Sequence, residues 1–236
     1  MIKIIDNYRN LPIGKYLEIL ELSQDENVDA LEQQVKTISI LTGLTEDDVL
    51  ALPIMQYKEL AGKTKFLENG YDGKLQVAKS YGLGGMELIP VKDFAKITTA
   101  QYVDFQNLSK EGDKYLVETL STLLIPKGRK YMDGEYEIED VRQAIRENLS
   151  VADVLSLSAF FLTKFVKSIK DFQTYSIREI QKIPNREMRE RLMKQMQEAM
   201  ENHSKTNGDG SQMLMRSLKH AGVHGMMFGR WMQWSF

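Results

Sequence analysis

His220 and His224 stand four residues apart, a spacing that places two imidazoles on one face of a helix. Zinc proteases use that spacing with a glutamate directly after the first histidine as general base, and here Ala221 holds that position. The third histidine, His203, lies on the other side of the stretch Thr206 to Ser211. With 0 Cys, no thiolate can complete a zinc site, and disulfides and cysteine nucleophiles are excluded. The histidines therefore read as interface residues, and no metal is expected.

Gly82, Gly84 and Gly85 are the nearest approach to a phosphate-binding loop. Such a loop needs glycines between a strand and a helix, so that backbone N–H groups point at phosphate. Here a strand pattern, Met86 to Val91, follows the glycines, and no Lys-Ser or Lys-Thr pair stands in the required place. A hairpin loop is the expectation. Carboxylates cluster at Glu135, Glu137, Glu139 and Asp140. Paired carboxylates can hydrolyse glycosides. These, however, surround the turn Met132-Asp133-Gly134 and a helix start, where negative charge stabilises the helix dipole. No nucleophile elbow, triad order or kinase loop set occurs. The expectation is a protein that is not an enzyme and carries no cofactor.

The elements around these residues are mostly helical. Val28, Leu31, Val35, Ile38 and Leu41 draw one apolar stripe, with Asn27 as the expected N-cap and Gly43 as the stop. Thr45 and Asp48 form a capping-box pattern for a short helix, and Pro53 suits the first turn of the next. Pro12 to Leu22 fits a short helix or a strand. Turn dipeptides at Asn69-Gly70 and Asp72-Gly73 open a different region, in which Leu75 and Val77 alternate with polar residues and are expected to pair with Met86 to Val91.

Helices resume behind Thr98 and Gln101, another capping-box pattern, with Tyr102, Phe105 and Leu108 on one face. Tyr115 to Leu124 reads as an apolar helix stopped by Pro126. Ile138, Val141, Ile145 and Leu149 form a further stripe. Ser150 and Asp153 cap the most apolar helix, through Phe161 to Ile169, and Ser176 with Glu179 is expected to cap a separate short one. After Pro184 a helix is expected over Asn185 to Asn202, and the residues TNGDGS over Thr206 to Ser211 read as a flexible joint. Tyr131 and Phe161 are expected to serve stability and not an activity. The fold expectation is mainly α with a small β-hairpin element, a helical two-part body plus an extended C-terminal arm. It divides as 1–68, an N-terminal helical domain; 69–97, hairpin and linker; 98–173, a central helical domain; and 174–236, C-terminal helices and arm.

The chain of 236 residues is 42% hydrophobic and has a formal net charge of -2, so nothing global draws it to nucleic acid or an anionic membrane. No signal peptide or membrane span is expected, since Asp153, Lys164 and Lys167 interrupt the longest apolar stretch. The charge is divided: residues 174–236 carry 10 Lys or Arg against 6 Asp or Glu, and the rest carry 21 against 27. Residues 186–236 also hold nine of the 13 methionines. Met226, Met227, Phe228, Arg230, Trp231, Met232, Trp234 and Phe236 crowd the end of the sequence. Thioethers adapt to irregular surfaces and Trp and Arg anchor interfaces. Such a segment either folds back on its own core or docks on a neighbouring subunit, and the joint before it favours docking.

Several segments together resemble small virion proteins of tailed bacteriophages, especially the crAss-like phages of Bacteroides and their relatives. They are LPIGKYLEI (11–19), ISILTGLTEDDVLALPIMQYKEL (38–60), ITTAQYVDFQNL (97–108), LLIPKGRKYMDGEYEIEDVRQAI (123–145) and LSVADVLSLSAFFLTKFV (149–166). The likeness spans about residues 11–170 and consists of helix stripes and turn dipeptides, not a catalytic signature. It implies a head–tail connector or adaptor, a ring of identical subunits at the portal vertex between portal and tail, following the portal's twelve-fold symmetry. The implied partners are other copies of the chain, the portal protein and other tail or ring proteins, with DNA passing through without sequence-specific binding and no membrane. The implied location is the virion, after synthesis in the host cytoplasm. The first domain also resembles tail assembly chaperones, which are absent from the finished particle.

Overall fold

The computed structural model describes residues 2–110, 115–195 and 198. The chain is mainly helical with a small three-stranded antiparallel sheet, the fold class its patterns anticipate. Pro12 to Leu22 proves helical, as α1 (Ile13–Gln24). Helix α2 (Ala30–Thr42) starts later than the stripe suggests: Asp29, not Asn27, is its N-cap. The Asp29 carboxylate accepts the Leu31 and Glu32 N–H groups, each at 2.8 Å, while Asn27 donates to Asp25. Gly43 ends α2 with a φ of 78°. The capping box of Thr45 and Asp48 starts α3 (Glu46–Leu50), and Pro53 caps α4 (Ile54–Lys63). Val35, Ile38, Val49 and Leu60 close a small core between these helices.

Strands β1 (Tyr81–Leu83) and β2 (Met86–Pro90) form the hairpin, with Leu83 opposite Met86. Gly84 and Gly85 take the positive φ values, 53° and 79°, that a two-residue turn of this twist requires. The expected first strand is corrected: Leu75 and Val77 pair with nothing in the sheet and pack half-buried against the core. A third strand, β3 (Leu124–Pro126), pairs with β2 so that Ile125 faces Ile89. The sequence reading had carried a helix through Leu124. Pro126 turns the preceding residue away from helical geometry, and the open edge of β2 takes up the extended chain.

Helix α5 (Thr99–Lys110) is capped by the Thr98 hydroxyl, which accepts the Gln101 N–H at 3.1 Å. The Gln101 side chain does not close the box. It is buried and donates to the Thr122 carbonyl at 2.6 Å, tying α5 to α6 (Leu116–Leu123). Helices α7 (Ile138–Asn148) and α8 (Val151–Gln181) follow. Ser150 caps α8 by accepting the Asp153 N–H at 3.1 Å. The separate helix expected from Ser176 does not exist: Ser176 lies inside α8. After Pro184, residues 186–195 are helical, and the Asn185 side chain accepts the Met188 N–H at 3.0 Å.

The larger core gathers Leu11, Ile13, Leu88, Leu124, Ile145, Leu157 and Phe161 from elements far apart in the chain. The N-terminal segment is stitched across the α7–α8 junction. Ile13 N–H donates to the Leu149 carbonyl and Val151 N–H to the Leu11 carbonyl, both at 2.9 Å. This closeness depends on Gly14. A Cβ there would lie 2.8 Å from the Arg146 carbonyl oxygen and Cγ. Gly14→Ala should therefore destabilise by about 1–3 kcal/mol through forced separation of α1 from α7. Gly62→Ala on α4, where a Cβ meets nothing within 4 Å, should instead stabilise by about 0.5–1 kcal/mol. Urea titration of the two variants checks both signs.

Candidate functional site

The residues whose types suggest chemistry are accounted for by structure wherever they are described. Gly82 to Gly85 form the hairpin, and Gly84 lies against Ala144 and Asn148 in the second half of α7. Glu139 and Asp140 lie in the first turn of α7, and Glu139 pairs with Arg142 at 3.0 Å. Glu135 pairs with Arg129. The Asp133 carboxylate organises the preceding turn by accepting the Lys130 and Glu135 N–H groups, at 2.8 and 3.0 Å. Among the described residues, no group of three or more His, Asp or Glu is placed to hold a metal ion. His203, His220 and His224 lie outside the described residues, as do all eight expected interface residues, Met226 to Phe228, Arg230 to Met232, Trp234 and Phe236. A surface groove lined by Gln181, Arg189, Glu190, Met193 and Lys194 gathers no chemistry beyond paired surface charges.

Three polar contacts tie these elements together. The Tyr131 hydroxyl donates to the Asp104 carboxylate at 2.9 Å. Burial, and then Asp104 itself, push its pKa far above the ordinary 10.0. Between α6 and α7, Glu118 faces Arg146 at 3.5 Å, and Arg142 donates to Ser121 at 3.4 Å. The first ties the turn before α7 to α5, and the other two join α6 to α7.

Burial also raises Tyr8, Tyr57, Tyr81, Tyr102 and Tyr136. A tyrosine with a raised folded pKa contributes its stability in full below the unfolded value and loses it as pH climbs toward the folded one. Unfolding by alkali should therefore set in above about pH 10. Tyr131→Phe, which has no proton to lose, should flatten that slope in a denaturation series across pH 8 to 12.

The feature without an internal partner is apolar. Leu50, Ile54 and Met55 are 64%, 63% and 75% exposed at the junction of α3 and α4. Local structure forces this. Val49 turns into the small core at 1% exposure, so Leu50, next along a single-turn helix, must point elsewhere. Pro53 then restarts the chain, and α4 spends its buried face on Leu60 and on Tyr57, whose hydroxyl donates to Gln34 at 2.7 Å. Ile54 and Met55 are left at the rim. Glu46, Asp47 and Asp48 stand one turn away. Hydrogen bonds from the Thr45 hydroxyl and backbone N–H hold the Asp48 carboxyl below its usual range, so this rim stays charged. From Gly43 to Tyr57 the chain has no Lys or Arg.

This knuckle was missed when the sequence was read for stripes. Its signal was available in LALPIM (50–55), where apolar residues occupy more positions than one helix face can bury. No family model matches the chain, and no match to it was found among curated proteins or solved structures.

Proposed function

We propose that this protein is a structural component of a tailed bacteriophage virion, assembling with copies of itself into a ring at the portal vertex between portal and tail. The observation that carries the reading is the exposed apolar knuckle of Leu50, Ile54 and Met55, three large apolar side chains within six residues that neither core takes up. The sequence supplies a second, unlike adhesive surface in the Met- and Trp-rich residues 226–236. Two different surfaces on one chain are what a heterologous, ring-closing contact requires. The resemblance of residues 11–170 to connector proteins supports the location. The portal and the adjoining tail proteins would cover the ring's two faces, and DNA would pass without sequence-specific contacts. Among the described residues, no helix is long and apolar enough to cross a membrane.

Electron microscopy of the purified chain, alone and with portal, should show closed rings. Mass spectrometry of virions should find the chain in multiple copies per particle. Its absence from particles, with capture by apolar tail proteins in the lysate, would replace the connector with a tail assembly chaperone.

A further inference from the structure

We propose that residues 211–236 of one copy dock on the α3–α4 knuckle of a neighbouring copy, with Leu50, Ile54 and Met55 as the receiving surface. The inference rests on the assembly reading above and names the two surfaces that meet.

Chemistry matches the two surfaces. The receiving side is apolar and carries Glu46, Asp47 and Asp48, with Lys36, itself paired with Glu32, near Glu46 and Lys58 next along α4, so acidic groups outnumber basic ones there. The arriving segment, 211–236, carries Arg216, Lys219 and Arg230 with no acidic one. Opposite rims around apolar centres give register as well as attraction. The centre of the arriving segment is Met226, Met227, Trp231, Met232 and Trp234, the residue types that anchor interfaces and conform to uneven apolar relief. The other large exposed apolar side chains among the described residues, Leu31 on α2, Val103, Met132, Tyr175 and Met188, are far apart in the sequence, whereas Leu50, Ile54 and Met55 fall within six residues.

The assembly reading selects the neighbour over the same chain, and the cross-link described below separates the two. Helix α8 has 31 residues and is about 46 Å long at 1.5 Å per residue. Its first half is buried through Phe161, and from Leu162 to Gln181 no described side chain is fully buried. Phe165 still packs against Phe94 and Phe105, and beyond it α8 contributes no buried side chain among the described residues. The knuckle borders the smaller core of Val35, Ile38, Val49 and Leu60, whereas α8 seats in the larger one.

Because the chain has 0 Cys, single thiols can be placed beside the contact without removing it. Full-length Ala51→Cys and full-length Ser235→Cys, each with its own tag, are mixed, assembled and treated with a short bismaleimide. The expected product is a covalent dimer of the two tagged chains. Leu50→Ser with Met55→Ser, both at exposed positions, should weaken self-association at least about 30-fold while the melting curve stays in place. Rings that form without the cross-link would overturn the docking while leaving the assembly reading intact. A cross-link found only within single chains of an Ala51→Cys, Ser235→Cys double variant would show the segment returning to its own knuckle, and would also overturn it. Monomers under every condition would overturn both readings.

Discussion

A chain ending at Ala221 should melt like the full-length protein and fail to assemble. Among the described residues, the buried side chains of both cores lie between Tyr8 and Phe161, and these cores are the basis for expecting the truncated chain to stay folded. The melting temperature should stay within about 2–4 °C, the shift that 1 kcal/mol produces in a domain of this size. Sedimentation and electron microscopy should then find only monomers. The size of this effect follows from what is removed: Trp231, Trp234 and the methionines around them are a whole apolar surface, where losing one anchor alone typically costs about 2 kcal/mol or more. A truncated chain that assembles normally would show that the contact between copies lies elsewhere. One that melts far lower would show that the segment folds onto its own body.

What the sequence revealed, and what it hid, divides along the range of the forces involved. Caps that close within one turn were legible. Thr45 with Asp48 and Ser150 with Asp153 do what their spacing says, because donor and acceptor are three residues apart. The same pattern failed at Ser176 and Glu179 for a local reason. From Val151 to Ile183 the chain has no Gly or Pro, so nothing interrupts the ladder, and the N–H groups that Ser176 would cap are already bonded along α8. At α2 two good capping residues compete, and Asp29 wins over Asn27 because its carboxylate reaches two N–H groups at once. The hairpin turn was legible in Gly84-Gly85, but its partner strand was not. Tyr81–Leu83 pairs across the shortest loop those glycines permit, which leaves Leu75 and Val77 to pack as extended chain. Strand β3 depends on Ile125 meeting Ile89 across a long separation in sequence, and no local rule signals that. At the knuckle, LALPIM signals that some apolar residue must stay outside the core, but which ones do so is decided only when the neighbouring helices are placed.

The second large effect is expected at Phe161. Phe161→Ala should cost about 3–5 kcal/mol, and Phe161→Asp more, against a total stability of about 5–15 kcal/mol for a domain of this kind. The side chain is 2% exposed, on the buried half of α8. Its ring centroid lies 6.5 Å from that of Phe94, which also meets Phe105 at 5.7 Å and Phe165 at 5.8 Å, all edge to face. Truncation therefore opens a cavity where the turn at Phe94, helix α5 and helix α8 converge, and that cavity cannot collapse without moving all three. The sequence reading placed Tyr131 in the same class. The structure separates them: Tyr131 is half-buried, so Tyr131→Ala loses less packing, together with one hydrogen bond to Asp104. The expected order of urea midpoints is wild type, then Tyr131→Ala, then Phe161→Ala, with exposed Lys167→Ala within about 0.5 kcal/mol of wild type. A Phe161→Ala chain as stable as Lys167→Ala would mean that α8 does not seat in this core.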